Sequence, residues 1–256
     1  MKKQAVSKIS IAGAGQPEWS SQRGFSLVEL SIVLVIIGLI IGGILKGQEL
    51  IANAQIKNAV AQSQSYQAAY VSFRDKYNGL PGDLYNAQLL IPNCTLANMC
   101  SPSNTGGDGN GIIGADVGAA FNGNVSAATE NLAFWQQLAA ARFIGGIVLG
   151  TTGSAAYGSW LPDAEVGGGF QIVYEQTSGR HALRLAGGIG VPAPGSGAVR
   201  PDQAFQIDTV LDDGLPNTGS VFTNGTISNA ACFTVADNIY TAANNARSCN
   251  LVITVP

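Results

Sequence analysis

The run from Phe25 to Leu45, "FSLVELSIVLVIIGLIIGGIL", limits what this chain can become more than any other segment. It is aliphatic apart from a few Ser and Gly and one carboxyl group, Glu29. About twenty apolar residues in a helix reach roughly 30 Å, the thickness of a bilayer's hydrocarbon core. Residues 1–24 carry Lys2, Lys3, Lys8 and Arg23 against Glu18. That basic flank predicts an N-terminus on the cytoplasmic side, which sends everything after Lys46 out of the cytoplasm. A secretory signal has its apolar region before the cleavage site. Here the basic segment stops at Arg23-Gly24, the run follows directly, and no small-residue cleavage site comes after it.

Glu29 needs a reason. A carboxylate deep in lipid costs about 2.5–3.5 kcal/mol on insertion scales, so such residues are functional by default unless they snorkel. Glu29 lies near the start of the run, where the interface is within reach. A cut between Gly24 and Phe25 would alter the balance. Phe25 would gain an α-amino group one helical turn from Glu29. The carboxylate could pair with that amine, or with the amine of a neighbour shifted along a bundle, and each charge in lipid is tolerable once paired. Glu29 then sets the register of packed helices.

The segment "RGFSLVELSIVLVIIGLIIGG" resembles the prepilin cleavage and methylation segment of type IV pilins and type II secretion pseudopilins. The resemblance covers about a tenth of the chain. It implies that Gly24 precedes the cut, that Phe25 becomes the N-methylated first residue, and that Glu29 is the glutamate at mature position five, used in assembly. It also implies processing by a membrane-bound aspartic prepilin peptidase and handling by an inner-membrane assembly platform. The partners are the lipid bilayer and other pilin subunits, as a homo- or hetero-polymer. The leader is longer than in many such pilins, and Lys46 stands where many carry a helix-bending proline. Gly42, Gly43 and Gly47 offer local flexibility instead.

The helix should continue beyond the membrane. "QELIANAQIKNAVAQSQSYQAAYVSFRDKYNG" has no Pro, and Ile56, Val60, Tyr66, Tyr70, Phe73 and Tyr77 recur at helical spacing, with Ser63 filling the missing step. This predicts one rod over residues 25–78, about 80 Å long, ended by Gly79 and Pro81. Asp83, after Pro81-Gly82, is expected to cap the next segment. "TENLAFWQQLAAARFIGG", residues 129–146, is the clearest helix of the head, capped by Thr129 and closed by Gly145-Gly146. "FQIVYEQ", "HALRLAG", "ACFTVA" and "NLVITVP" read as strands. The predicted class is α+β: a long N-terminal helical spine and a head with a small antiparallel sheet. The organisation is a leader at 1–24, a membrane helix and fibre core at 25–46, its amphipathic continuation at 47–79, and a periplasmic or extracellular head at 80–256.

Chemistry is sparse. Asp108, Asn110 and Asp116 in "DGNGIIGAD" offer oxygen atoms, and some pseudopilins hold calcium in a head loop. The spacing fails the EF-hand pattern, so a turn cluster is expected and no metal or other cofactor. Asp212-Asp213-Gly214 reads as a turn between strands. His181, the only histidine, reads as a surface residue, and no nucleophile or phosphate-binding motif accompanies it. No enzyme is expected. The net charge of −3 carries no nucleic-acid footprint. Cys94, Cys100, Cys232 and Cys249 form an even set in an exported region, which favours disulfides. Three connectivities are open. The local pairs Cys94–Cys100 and Cys232–Cys249 are favoured because short closures need less topology.

These readings converge on a structural pilin-like subunit. It would sit in a bacterial inner membrane as a single-pass protein with a periplasmic head, and later in a pilus at the cell surface. A type II secretion pseudopilin and a minor pilin with an adhesive head remain alternatives.

Overall fold

One helix, α1, runs unbroken from Leu27 to Tyr77. The computed structural model describes residues 24–95, 107–113, 130–150, 156–175, 178–189, 197–223 and 231–256. Contacts divide the chain into two units, Met1–Gln48 and Glu49–Pro256, with the division falling inside α1. In the first unit the aliphatic side chains of α1 are exposed: Leu27 at 88% and Leu39 at 73%. In the second, α1 buries Ile56, Ala59, Val60, Ser63, Ala69, Tyr70 and Phe73. These lie on one stripe at the expected spacing. The helix ends where Asn78 turns left-handed, with φ of 50°, followed by Gly79 and Pro81.

A short turn of helix, α2 (Ala87–Leu90), precedes α3 (Glu130–Ala140). The expected end of α3 at Gly145-Gly146 is corrected. Arg142 takes φ of 64°, the Phe143 N–H donates to Leu138 O, and the Arg142 N–H donates to Ala139 O, both at 3.0 Å. This is a Schellman closure built on arginine rather than glycine. The expected Thr129 cap lies outside the described residues. Leu132, Ala133, Phe134, Trp135 and Leu138 are fully buried, and so are Gln136 and Gln137. A helix buried on nearly every side sits inside a core rather than on it.

The sheet has the order β1 (Gly169–Glu175), β2 (Arg180–Ala186), β6 (Leu251–Thr254) and β3 (Val221–Phe222), all antiparallel. Alternation assigns the two faces. Phe170, Ile172, Leu183, Leu185, Leu251 and Ile253 join the main core with α1 and α3. Tyr66 packs edge-on against Trp135 at 5.1 Å and Phe170 at 5.3 Å, tying helix to helix and sheet. Val173, Ala182 and Val252 form a second buried cluster on the opposite face.

Two sequence expectations change here. "ACFTVA" contributes only β4 (Phe233–Thr234), which pairs with β5 (Ile239–Tyr240) in a separate ribbon. "QIDTVL" is not a strand before a turn but the end of a helix, α4 (Pro201–Leu211). Pro201 stands at its first position, where the missing N–H costs nothing. The Arg200 N–H donates to Gln203 Oε1 at 3.1 Å, closing the first turn.

Cys232 and Cys249 are bonded, with Cα atoms 5.0 Å apart and a sequence separation of 17. The bridge ties the base of β4 to the residue beside Val199, which pairs with Cys249. Cys94 is also disulfide-bonded; Cys100, its expected partner, lies outside the described residues. Replacing Cys232 and Cys249 with Ala should cost about 2–5 kcal/mol of stability, the usual range for a native bridge. Chemical denaturation of the variant against the parent measures it. Free alkylation of both thiols in the parent without reductant would contradict the assignment.

Candidate functional site

Glu29 lies in the first turn of α1, and the local geometry gives it a job that the sequence reading passed over. Ser26 O accepts the Leu30 N–H at 3.1 Å, so Ser26 is the residue that opens the helix. Its Oγ accepts the Val28 N–H at 3.2 Å. Glu29 Oε2 reaches back to the Ser26 N–H at 2.9 Å. Ser-x-x-Glu is a capping box, and it satisfies two of the N–H groups that a helix start leaves open. Gly24 and Phe25 precede it outside the helix, with Phe25 85% exposed. Gly38 and Gly42, four residues apart, have open space where a Cβ would stand. Two small residues at that spacing form the notch through which apolar helices approach closely.

In the head, Asp83 does not cap a following helix. Its Oδ1 accepts the N–H groups of Gly109 at 2.7 Å and Asn110 at 3.1 Å, and its Oδ2 accepts that of Gly111 at 2.8 Å. The side chain folds the glycine loop onto the turn that follows α1. Burial pushes the Asp83 carboxyl above its usual range, opposed chiefly by those N–H donors. Gly107 lies so close to the Asp83 backbone that any Cβ would collide with it.

The oxygens offered for calcium are arranged differently from the expectation. Asp108 Oδ1 accepts the Asn110 N–H at 3.0 Å and Oδ2 accepts the Asn110 side-chain amide at 2.8 Å. Asn110 Oδ1 takes the Ile112 N–H at 2.7 Å. Asp116 lies outside the described residues. The carboxylates that approach one another are Asp83, Asp108 and Glu130, with one oxygen of each within 4.8 Å of the others. Glu130 Oε1 accepts the Asp108 N–H at 3.2 Å. This is turn chemistry in every contact described.

The acidic run after α4 is similar. Asp212 Oδ2 accepts the N–H groups of Ser220 and Val221. Asp213 accepts the Leu215 N–H at 2.8 Å and the Thr218 hydroxyl at 2.7 Å. Asp208, fully buried, accepts the Gly214 N–H at 3.1 Å and the Tyr240 hydroxyl at 2.7 Å. These carboxylates lock the turn between α4 and β3, and one oxygen of each of Asp208, Asp212 and Asp213 lies within 4.8 Å of the others.

His181 is corrected from surface to interior: it is 8% exposed. Burial lowers its pKa to about 4, so the ring is neutral. Across the sheet from the main core, the buried Arg184 Nη2 donates to Gln171 Oε1 at 2.7 Å. Gln171 Nε2 donates to Tyr157 Oη at 2.5 Å and to Gly188 O at 3.1 Å. Burial holds the Arg184 guanidinium down to about 9, against the pull of Tyr157. Only the antiparallel register, which sets Gln171 opposite Arg184, shows why a guanidinium is tolerated there.

Comparison with known proteins identifies one segment. Residues 19–45 match the family model described as the prokaryotic N-terminal methylation motif, a span that contains Gly24, Phe25 and Glu29. No curated protein matches the chain. Among solved structures, the major type IV pilin PilA1 from Clostridium difficile aligns over 80% of this chain and 97% of its own, at 13% identity and a TM-score of 0.35. That overlay is too loose to carry a conclusion about this chain.

Asp208 generates a pH prediction. Its carboxyl is raised from 3.8 to about 6, first by burial, with Tyr240 and Gly214 opposing the rise and Asp213 and Asp212 adding to it. A folded pKa above the unfolded one means that stability is fully present below about pH 4 and is lost as pH rises through about 6. The Asp208→Asn variant removes this dependence while keeping an oxygen for Gly214. Relative to the parent, it should gain on the order of 1–2 kcal/mol between pH 4.5 and pH 7.5, after discounting for solvent screening. Urea denaturation of both chains at the two pH values gives the double difference; parallel pH profiles would refute the assignment.

Proposed function

We propose that this chain, whose residues 19–45 match the prokaryotic N-terminal methylation motif, is a structural subunit of a type IV pilus, made as a membrane-anchored precursor and assembled through α1. The observation that carries the reading is the join of that segment to a helix whose first half exposes one aliphatic side chain after another. Such a surface needs lipid before assembly and the helices of other subunits after it. The Gly38–Gly42 notch supports close helix packing. The prepilin-type segment calls for a peptidase cut between Gly24 and Phe25, N-methylation of Phe25, and delivery of the processed chain by an inner-membrane platform. The Phe25 amine released by the cut would lie one turn from Glu29. In an assembled bundle Glu29 pairs with the amine of a neighbouring subunit. The head contributes surface, not catalysis.

Mass spectrometry of the N-terminal peptide from membranes should find a chain beginning at methylated Phe25. A mature chain that keeps Lys2 or Lys3 would overturn the processing reading. Purified fibres containing this chain in major stoichiometry would support a pilus subunit. Its confinement to a short secretion pseudopilus would reassign it to that system.

Glu29 has two candidate roles, and their sizes separate them. Losing a cap costs about 0.5–2 kcal/mol, too little to abolish a long packed helix. Leaving a neighbour's ammonium unpaired in an apolar bundle costs about 3–5 kcal/mol. Gln at the same position keeps the capping box but removes the charge. Glu29→Gln and Glu29→Ala should therefore both be cleaved, accumulate in the membrane and yield no filaments. Normal fibre yield from Glu29→Gln would reduce the residue to a helix cap.

A further inference from the structure

Helix α4 turns Gln203, Ala204, Ile207 and Asp208 inward. Its opposite side is an exposed arc flanked by Phe205 and Val210, at 48% and 65% exposure, with Gln206 and Thr209 between them. The arc continues into the turn. A Cβ on Gly214 would come within 3.2 Å of the Phe205 ring, and exposed Leu215 follows it. The base is stiff: Phe205 packs on Tyr240 with ring centroids 6.4 Å apart, and the Tyr240 hydroxyl is tied to Asp208. A stiff surface loses little freedom on docking. Asp212 and Asp213 close the arc at the C-terminal end of α4, where the helix dipole is also negative. Their hydrogen bonds come from N–H and hydroxyl groups, and among the described residues neither has a cationic partner.

A face of opposite sign lies where α1 ends. Lys76, in its last turn, holds its ammonium 5.0 Å from the Tyr77 ring centroid and 5.6 Å from that of Phe143. Arg142, next to Phe143 in the chain, is exposed. Among the described residues neither Lys76 nor Arg142 is ion-paired. Asp75 also lies in that turn, but adjacent residues on a helix do not face each other. Asp83, the next acid along the chain, is buried and bonded to loop N–H groups. Two cations beside a half-buried ring thus match two anions beside Phe205 and Leu215, and neither set is answered within its own head. A two-fold contact through either face would oppose like charges, which is costly. The remaining pairing sets one copy's α4 face on the next copy's α1 end. That contact is heterologous, and it repeats along a filament.

We propose that the α4 face, with Phe205, Val210, Leu215, Asp212 and Asp213, docks on the Lys76–Arg142–Phe143 face of a second copy of this chain. The choice of a second copy rests on the subunit reading above. The contact joins head to head, apart from the packing of the apolar half of α1, and its charges set direction and register.

Two exposed positions report the contact and spare its charges: Gly145, two residues after Phe143 with open space for a Cβ, and Gln206 on the α4 arc. Among the described residues no cysteine is free, so new thiols report alone. The full chain is treated with a short bis-maleimide in neutral detergent micelles and in purified fibres. Gly145→Cys combined with Gln206→Cys should give a ladder of multimers. A mixture of the two single variants should stop at dimers, and each alone should stay monomeric. Dimers from Gln206→Cys alone would show a two-fold contact and overturn the proposal. In the double-cysteine chain, Val210→Lys and Lys76→Glu should each cut the ladder about tenfold, and the two together should restore it. Circular dichroism and tryptophan fluorescence check that each variant is folded. A ladder indifferent to both reversals overturns the proposal, as do cross-links made only to a chain of different mass. Fibres that contain the chain without the cross-link sink the contact and leave the subunit reading standing. A charge-dependent ladder in micelles from a chain that enters no fibre upholds the contact and sinks that reading.

Discussion

Everything in this protein depends on α1 being one unbroken helix with two different surfaces. From Leu27 to Tyr77 no proline interrupts the hydrogen-bond ladder, so away from its two ends no backbone N–H or C=O needs another partner. That matters most in the first half, where lipid or neighbouring helices would be the solvent and could not satisfy an open backbone group. In the second half the same ladder carries a stripe of Ile56, Val60, Tyr70 and Phe73 into the core of the head. The junction between the two surfaces falls near Gln48, with no break in the helix. The aromatic side chains of the stripe then fix α3 and β1 through Tyr66, Trp135 and Phe170.

Charge is used sparingly, and mostly to hold loops. Asp83, Asp208, Asp212 and Asp213 each accept backbone N–H groups from loops that have little apolar surface of their own. A head rich in glycine loses much conformational entropy when those loops are ordered. Carboxylates with several N–H donors, together with the Cys232–Cys249 bridge, offset part of that loss. The acidic clusters are therefore understood as folding devices.

Several features were legible before the structure because they repeat or punctuate. The α1 stripe follows a period of 3.6, β1, β2 and β6 follow runs bounded by glycine or polar turns, and the N-terminal methylation motif combines a basic flank, Gly24-Phe25 and Glu29 in fixed order. The α4 helix was also signalled, by Pro201 at its first position and Asp202 in its first turn, but the β-branched Ile207, Thr209 and Val210 made its end resemble a strand. The Ser26–Glu29 capping box and the Gly38–Gly42 notch were likewise present as spacing.

By itself, the sequence determined the elements whose cause is local: the apolar run, the helical stripe, the strand runs, the turn residues and the N-terminal methylation motif. Those depend on periodicity and on neighbours a few residues away. Tertiary structure alone decided whatever rests on contacts distant along the chain. His181 became a buried acceptor because the Ile113 N–H and Tyr70 converge on it. Arg184 could be buried because register sets Gln171 opposite it. Asp83 turned from a cap into a loop anchor because Gly109 and Gly111 fold back to it. The end of α3 settled on Arg142 rather than the glycines that follow, since Phe143 packs against the core formed by Phe73. A residue's partners at long sequence separation are set by packing of the whole core, and no local pattern encodes them.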